Sequence, residues 1–302
     1  MPEIQPEAAE APPLRVSVLI VAHDSAAALR KCVAALEAAP DRAEFEVLLV
    51  DNGSTDGSQS LDREFPEIQM LRLPHYCGLT KARNIGIRTC KAEYLLLLAP
   101  DVVLDPGAVT KLADRLAADT SALAVCPTLL DDAGKTVSRT FRLPDAGQVS
   151  ANWENPLSQP ASGGDLHDGK AILLRKQTIQ GINYLDSRFG EHWIDVDLAY
   201  QIRKAGKKIA LAEDVRGRWN AADPLWKPAT AQERAAFAAD AANGAAAYLG
   251  KHFGFMSGLG LRIRLVLGAL VKVLTFQDPG YSFGLLSRLV SGYKIDGSSQ
   301  KL

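Results

Sequence analysis

The chain has 302 residues, 34 Lys and Arg against 35 Asp and Glu, and four cysteines. That length buries a full core and suits one large domain with an appendage, and the charge balance leaves no bulk electrostatic footprint for nucleic acid. Cys32, Cys77, Cys90 and Cys126 form no CxxC pair, which speaks against a structural zinc site and for reduced thiols in the cytoplasm.

Residues 1–13, MPEIQPEAAEAPP, have neither a basic n-region nor an apolar h-region and read as a disordered leader, not a signal peptide. Arg15–Ala22 (RVSVLIVA) has the β-branched, apolar pattern of a strand buried on both faces. It ends at His23-Asp24-Ser25. His23 reads as a loop residue, and Ser25 is placed to cap a helix over Ala26–Ala39, whose Leu29, Val33 and Leu36 repeat at helical spacing. In Phe45–Ser58 (FEVLLVDNGSTDGS) an apolar run stops at Asp51 and empties into Asn, Gly, Ser and Thr, as a strand does on entering a loop. Strand, helix and strand make a right-handed βαβ unit with Asp24 and Asp51 at two carboxyl ends, where open α/β sheets bind ligands. A carboxylate there suits a ribose hydroxyl or a base N–H, or else caps the next turn.

A helix is expected over Ser58–Phe65 and a third short strand over Ile68–Leu73. Gly78–Ile87 (GLTKARNIGI) then reads as a glycine-opened helix. It is not a GxGxxG turn, and no other segment supplies one, so the dinucleotide-binding signal is weak. Arg83 on this helix is either a phosphate clamp or a solvated charge. Glu93–Asp101 (EYLLLLAPD) is apolar enough for the sheet centre and puts Asp101 at a third strand end. Three clustered acids repel one another unless a cation or a hydrogen-bond donor fills the cleft, and a divalent metal bridging a diphosphate meets that requirement.

VSVLIVAHD, EVLLVDNGSTDGS, GLTKARNIGI and EYLLLLAPDVVLDPGAV, followed by GKAILLRKQTIQGINYLDSRF and WIDVDLAYQIRKAGKKI, resemble the family 2 glycosyltransferases over roughly Val16–Arg218. The resemblance implies a GT-A α/β fold: a Rossmann-like, mostly parallel sheet flanked by helices, over residues 14–225, with a helical C-terminal extension over 226–302. It implies a nucleotide-sugar donor, usually of the UDP or dTDP type, and hexosyl or deoxyhexosyl transfer to an acceptor hydroxyl, most often with inversion. The acceptor is a glycan, a lipid carrier or a protein, as in synthesis of bacterial-type surface polysaccharide or glycoconjugates. By position Asp24 and Asp51 match nucleoside-contacting acids, and Asn52, Gly78, Arg83 and Asn84 are assigned with them to the nucleotide sugar. Asp101 matches the last acid of the metal-binding DxD element, for Mn or Mg, and Asp195 matches the general base.

Three departures stand out. Ala99 replaces the first acid of the DxD, Ile194 precedes the base where Glu is common, and Val215–Asn220 supplies no His after the last core strand. A weak metal site follows, or a diphosphate held by Arg83, Arg216 or Arg218. A catalytically impaired relative that binds nucleotide sugar, or a membrane-associated scaffold, is the second reading.

Ile194-Asp195-Val196-Asp197-Leu198 opens an amphipathic helix with Leu198 and Ile202 facing the core and Gly206 as its stop. The helix dipole accounts for one of the two acids. Inverting transfer needs a carboxylate to take the acceptor proton, a role assigned to Asp195, with Asp197 supporting it from the helix on the acceptor side. Trp193 is expected to stack on a sugar face in the acceptor pocket, and His192 either lines that pocket or is a plain loop residue. The loop over Val137–Gly169 is expected to read sugar configuration.

Ala229–Leu249 is an alanine-rich helix by propensity. Leu259–Phe276 sets Arg262, Arg264 and Lys272 on one arc and Ile263, Val266, Leu267, Leu270 and Leu274 on the other. Its charges are too frequent for a spanning helix and suit either peripheral contact with the inner face of an anionic membrane or packing on the catalytic domain or a second copy, as in a homodimer. Tyr281–Tyr293 reads as a further amphipathic helix and Asp296–Leu302 as a frayed tail.

Overall fold

A computed structural model describes residues 14–154, 157, 160, 164–167, 169–220 and 228–297. The leader over 1–13, Asp168 and residues 298–302 of the tail lie outside the described residues. In chain order the elements are β1 (Val16–Ala22), α1 (Ala26–Glu37), β2 (Phe45–Asp51), β3 (Gln69–Arg72), α2 (Leu79–Thr89), β4 (Tyr94–Leu98), β5 (Val102–Leu104), α3 (Ala108–Ala118) and β6 (Ala122–Leu130). There follow β7 (Thr140–Phe141), α4 (Ala146–Ala151), β8 (Leu166–His167), β9 (Ala171–Arg175), α5 (Lys176–Gly181), α6 (Ile194–Lys204) and β10 (Lys208–Trp219). The helices α7 (Ala231–His252), α8 (Phe255–Leu274) and α9 (Pro279–Ser291) complete the order.

The main sheet runs β3-β2-β1-β4-β9-β6-β10-β5. β3, β2, β1 and β4 are mutually parallel, β9 is antiparallel to both β4 and β6, and β10 runs parallel to β6. Every residue of β2 and β4 is buried, because helices cover both faces of a parallel sheet and leave no side for water. The strand period of two divides the core. Val18, Ile20, Val47, Leu49 and Leu96 meet α1 and α3, while Leu19, Leu48, Val50, Leu95 and Leu97 meet α2, α6 and α7. α2 lies close on β1 because Gly86 has no side chain there: a Cβ would come within 2.3 Å of Leu19 Cδ1.

α7, α8 and α9 pack on one another around Ala235, Ala239, Ala242, Ala269, Leu285 and Leu289, the four alanines leaving room for the leucines of α9. Thr230 and Glu233 form a capping box at the start of α7. The four cysteines are buried and none is in a disulfide.

Three local expectations need correction. The helix expected over Ser58–Phe65 is a pair of 3-10 turns over Gly57–Arg63, broken where Ser60 takes φ −126 and ψ 17. Ser25 occupies the N-cap position of α1 but makes no capping bond; Asp56 Oδ2 accepts from Ala26 N at 2.9 Å instead. β4 ends at Leu98, so Asp101 stands in the turn between β4 and β5 and not on the strand itself.

Candidate active site

A cleft of ≈ 530 Å³ opens at the carboxyl ends of β1 and β4, within the range of small-molecule sites. Its floor is Val21 and Ala22 of β1 and the Ala99–Asp101 turn; Gly169 and Lys170 before β9, Asp195 of α6 and Trp219 of β10 form one wall. His23, Asn52, Tyr76, Glu191, His192 and Phe237 form the other.

Asp195 lies in the first turn of α6 with 35% of its side chain exposed. Arg83 Nη1 donates to Asp195 Oδ1 at 2.7 Å, and the guanidinium is only 9% exposed. Arg83 is therefore no solvated helix charge: its nearly buried side chain lines the same cleft and pairs with the carboxylate there. Gly169, at φ +69, passes so close that a Cβ would stand 2.7 Å from Asp195 Oδ2, and glycine alone combines that backbone with that clearance.

Asp197 faces the other way. Two residues along a helix turn the side chain by roughly 200°, and Asp197, 1% exposed, accepts from His252 Nε2 at 2.7 Å and pairs with Lys251 Nζ at 2.8 Å. The expected acceptor-side role is corrected accordingly, since Asp197 ties α6 to α7. Trp193 is likewise no sugar platform. It takes φ +73 at the helix start, its Nε1 donates to Ala241 O at 2.8 Å, and its ring packs on Tyr248. A Cβ at Gly244 would come within 2.8 Å of that ring, so α7 is notched to receive it.

Of the nucleotide-side candidates, Asn52 lines the cleft, its Oδ1 accepting from Cys77 N at 3.0 Å. Asp51 is buried and accepts from Ser54 N at 3.3 Å. Asn84 is turned away and clamps Leu185, donating to its O at 2.8 Å and accepting from its N at 3.0 Å. Gly78, at φ +75, accommodates the C-terminal segment, where a Cβ would lie 2.2 Å from Ile295 O. Asp24, at φ +40, accepts from Thr55 N at 2.7 Å and faces a neighbouring hollow with Lys31, Asp56 and Arg218. Asp101 and Trp219 border both spaces.

Of the three acids expected to cluster, Asp24 and Asp101 border one hollow while Asp51 is buried, and no group of three His, Cys, Asp or Glu that could hold a metal occurs among the described residues. Asp101 Oδ2 accepts from Trp219 Nε1 at 2.9 Å, its Oδ1 is buried without a partner, and Lys170 Nζ stands 3.8 Å from Oδ2. One carboxylate holds a divalent ion only together with substrate phosphates and water, and here the Lys170 ammonium competes for that carboxylate.

Two acids were not singled out in the sequence. Glu191 Oε2 accepts from Tyr76 Oη at 2.7 Å and from Leu79 N at 2.9 Å, where the positive end of α2 favours an anion. Asp240 on α7 is 1% exposed; Oδ2 accepts from Glu191 N at 2.9 Å and His192 N at 3.1 Å and pairs with His192 Nδ1 at 2.9 Å, while Oδ1 accepts from Ile295 N at 2.8 Å. Burial pulls the His192 imidazole down, but the Asp240 hydrogen bond and the charges of Asp240 and Glu191 outweigh it, and the net direction is upward. The available sequence signal for Asp240 was its isolation as the one acid within the alanine-rich stretch of α7 after Glu233.

An open, mostly parallel sheet flanked by helices, with further helices at the C-terminus, is a GT-A fold. Solved neighbours share the fold: S. aureus TarS 1-349 in complex with UDP-GlcNAc, with a TM-score of 0.54 at 12% identity over 92% of this chain and 91% of that one; and the mannosyltransferase PcManGT from Pyrobaculum calidifontis in complex with GDP-Man and Mn2+, with a TM-score of 0.52 at 16% identity over 92% and 85%. Residues 17–166 match the profile of glycosyl transferase family 2, and the chain belongs to that family. A curated relative, the N-acetylglucosaminyl-diphospho-decaprenol L-rhamnosyltransferase of Mycobacterium tuberculosis, is 25% identical over 217 residues, 63% of this chain and 70% of the relative.

Proposed function

We propose that the chain transfers a hexose or deoxyhexose from a UDP or dTDP sugar to an acceptor hydroxyl with inversion. The observation that carries this is the placement of Asp195, a part-exposed carboxylate in the cleft, hydrogen-bonded to Arg83 and bounded by Gly169. The acceptor oxygen attacks the anomeric carbon as the bond to the diphosphate oxygen breaks, and the acceptor proton passes to Asp195. A base of this kind contributes about 10²–10⁴-fold. The nucleoside end lies toward Val21, Ala22 and Asn52, outside the carboxyl ends of the parallel strands. No step is assigned to a metal.

The acceptor is carried by a lipid, and the chain meets it at a membrane surface through α8 and α9. α8 buries only Gly258, Leu261 and Ala269. Met256, Ile263, Leu267, Leu270 and Leu274, spaced as one helical stripe, face solvent together with Phe276 in the following turn and Phe283 and Val290 of α9. The two helices carry Arg262, Arg264, Lys272 and Arg288 and no acid, in a chain of net charge −1, a combination that suits an anionic bilayer. No helix among the described residues is long and apolar enough to cross one. The rhamnosyltransferase relative, whose name specifies a diphospho-decaprenol-linked sugar, supports the same acceptor class.

The test is transfer from UDP and dTDP sugars to a panel that includes polyprenyl-linked acceptors. Asp195→Asn is expected to abolish transfer and to leave nucleotide binding intact. Nucleotide binding with no transfer to any acceptor by the wild-type chain would instead make it a sugar-nucleotide-binding relative.

A further inference from the structure

Where the family's metal-binding element would place its first acid, the chain has Ala99, and beside the acid that remains, Asp101, stands a cation of the protein itself. Ala99 N donates to Lys170 O at 2.7 Å, which fixes Lys170 across from the turn that carries Asp101. Its ammonium stands 3.8 Å from Asp101 Oδ2 and 4.9 Å from the centre of the Trp219 ring. Trp219 Nε1 donates to the same carboxylate oxygen. Carboxylate and ring therefore steer a flexible side chain to one spot, while 33% of it stays open. A divalent ion on Asp101 would bind at about 2.0–2.6 Å from an oxygen and meet the repulsion of that ammonium at close range.

We infer that Lys170 takes the place of a metal ion: its ammonium binds the donor's diphosphate and meets the charge that builds on the leaving oxygen. This rests on the nucleotide-sugar function proposed above and names the group that stabilises its leaving end. The bond from the anomeric carbon to the diphosphate oxygen breaks with its electron pair going to that oxygen. Lys170 Nζ donates a hydrogen bond to the diphosphate without giving up its proton, and Asp195 takes the proton of the acceptor hydroxyl. No co-reactant is required. The neighbouring Gly169 passes close against Asp195, so the proton-accepting Asp195 and the charge-accepting Lys170 meet at one short turn before β9.

The experiment is calorimetric titration of the full chain with UDP and with dTDP, each in chelator and each with Mn2+, for wild type, Lys170→Ala and Lys170→Arg. Uridine and thymidine serve as phosphate-free controls. Wild type is expected to bind in chelator, and Lys170→Ala to lose about 10- to 100-fold in diphosphate affinity, the worth of a charge-assisted hydrogen bond. Lys170→Arg should recover part of that loss, and nucleoside binding should be unchanged. Should Lys170→Ala fail to fold, Lys170→Met, which keeps the stem over Trp219, carries the same comparison. Wild-type binding that requires Mn2+, or a Lys170 variant that binds diphosphate as tightly as wild type, overturns the role of Lys170 and leaves the proposed function standing. Absence of binding by both nucleotides under every condition overturns both.

Discussion

Arg83 Nη1 and Asp195 Oδ1 are 2.7 Å apart in the wall of the cleft, the Arg83 side chain nearly buried and the carboxylate about one third exposed. The buried partner thus sets the direction of the reactive one. Arg83→Lys keeps the charge but loses the planar fork, and is expected to lower kcat by about 10- to 100-fold through misplacement of the base. The Kd for UDP or dTDP should stay as in wild type. A rise in Kd with kcat preserved would show that Arg83 clamps phosphate instead.

Gly169→Ala puts a methyl group where Asp195 Oδ2 now stands 2.7 Å away, on a backbone at φ +69 that alanine adopts only with strain. The variant is expected to fold, with a lower melting temperature, and to lose transfer by about tenfold or more, since a displacement of about 1 Å at a reacting group can cost 10²-fold. Transfer at the wild-type rate would show that Asp195 tolerates displacement and that its geometry is not limiting.

Asp197 and His252 form a buried pair with Lys251 beside them. Asp197→Ala leaves the buried His252 ring without its hydrogen-bond partner and Lys251 with Asp186 alone, and is expected to destabilise the chain by about 1–3 kcal/mol. Denaturant unfolding measures the loss. Activity per folded molecule should be retained below the unfolding transition, whereas a specific loss of kcat without loss of stability would return Asp197 to the acceptor site.

His192 has its pKa raised above the ordinary 6.5: burial opposes the shift, and the hydrogen bond and charge of Asp240, with the charge of Glu191, exceed it. A raised folded-state pKa contributes stability that is fully present below the unfolded pKa and is lost as pH rises through the folded pKa. The wild-type chain should therefore lose this contribution above pH 6.5, in the window up to the folded pKa. Asp240→Asn should lower the His192 titration midpoint seen by NMR and flatten that slope. An unchanged midpoint in the variant would detach His192 from Asp240.

The apolar stripe of α8 and the basic residues around it predict co-sedimentation with vesicles containing phosphatidylglycerol and weak retention by phosphatidylcholine alone. Leu267→Ser combined with Leu274→Ser should release the chain from anionic vesicles without changing its fold, because both side chains face solvent. If the same pair instead converts a dimer to a monomer and leaves vesicle binding untouched, the face is an interface between copies.

The sequence by itself determined the four parallel strands β1 to β4 and the helices α1, α2 and α6, because short β-branched runs and helical spacing are local patterns that burial enforces whatever the neighbours. It also placed Asp195 at the start of a helix, Gly206 at its end, here at φ +69, and three helices at the C-terminus. Tertiary structure alone decided which of the two acids on α6 enters the cleft, since that depends on the rotation of α6 against α7 and not on any pattern within α6. The same holds for Trp193, whose indole is claimed by a notch at Gly244, and for Arg83, which meets a carboxylate 112 positions away. Lys170 and Asp240 stayed illegible for the same reason. Each acts on residues tens of positions distant, Asp101 and His192, and the pairing exists only once the chain has folded.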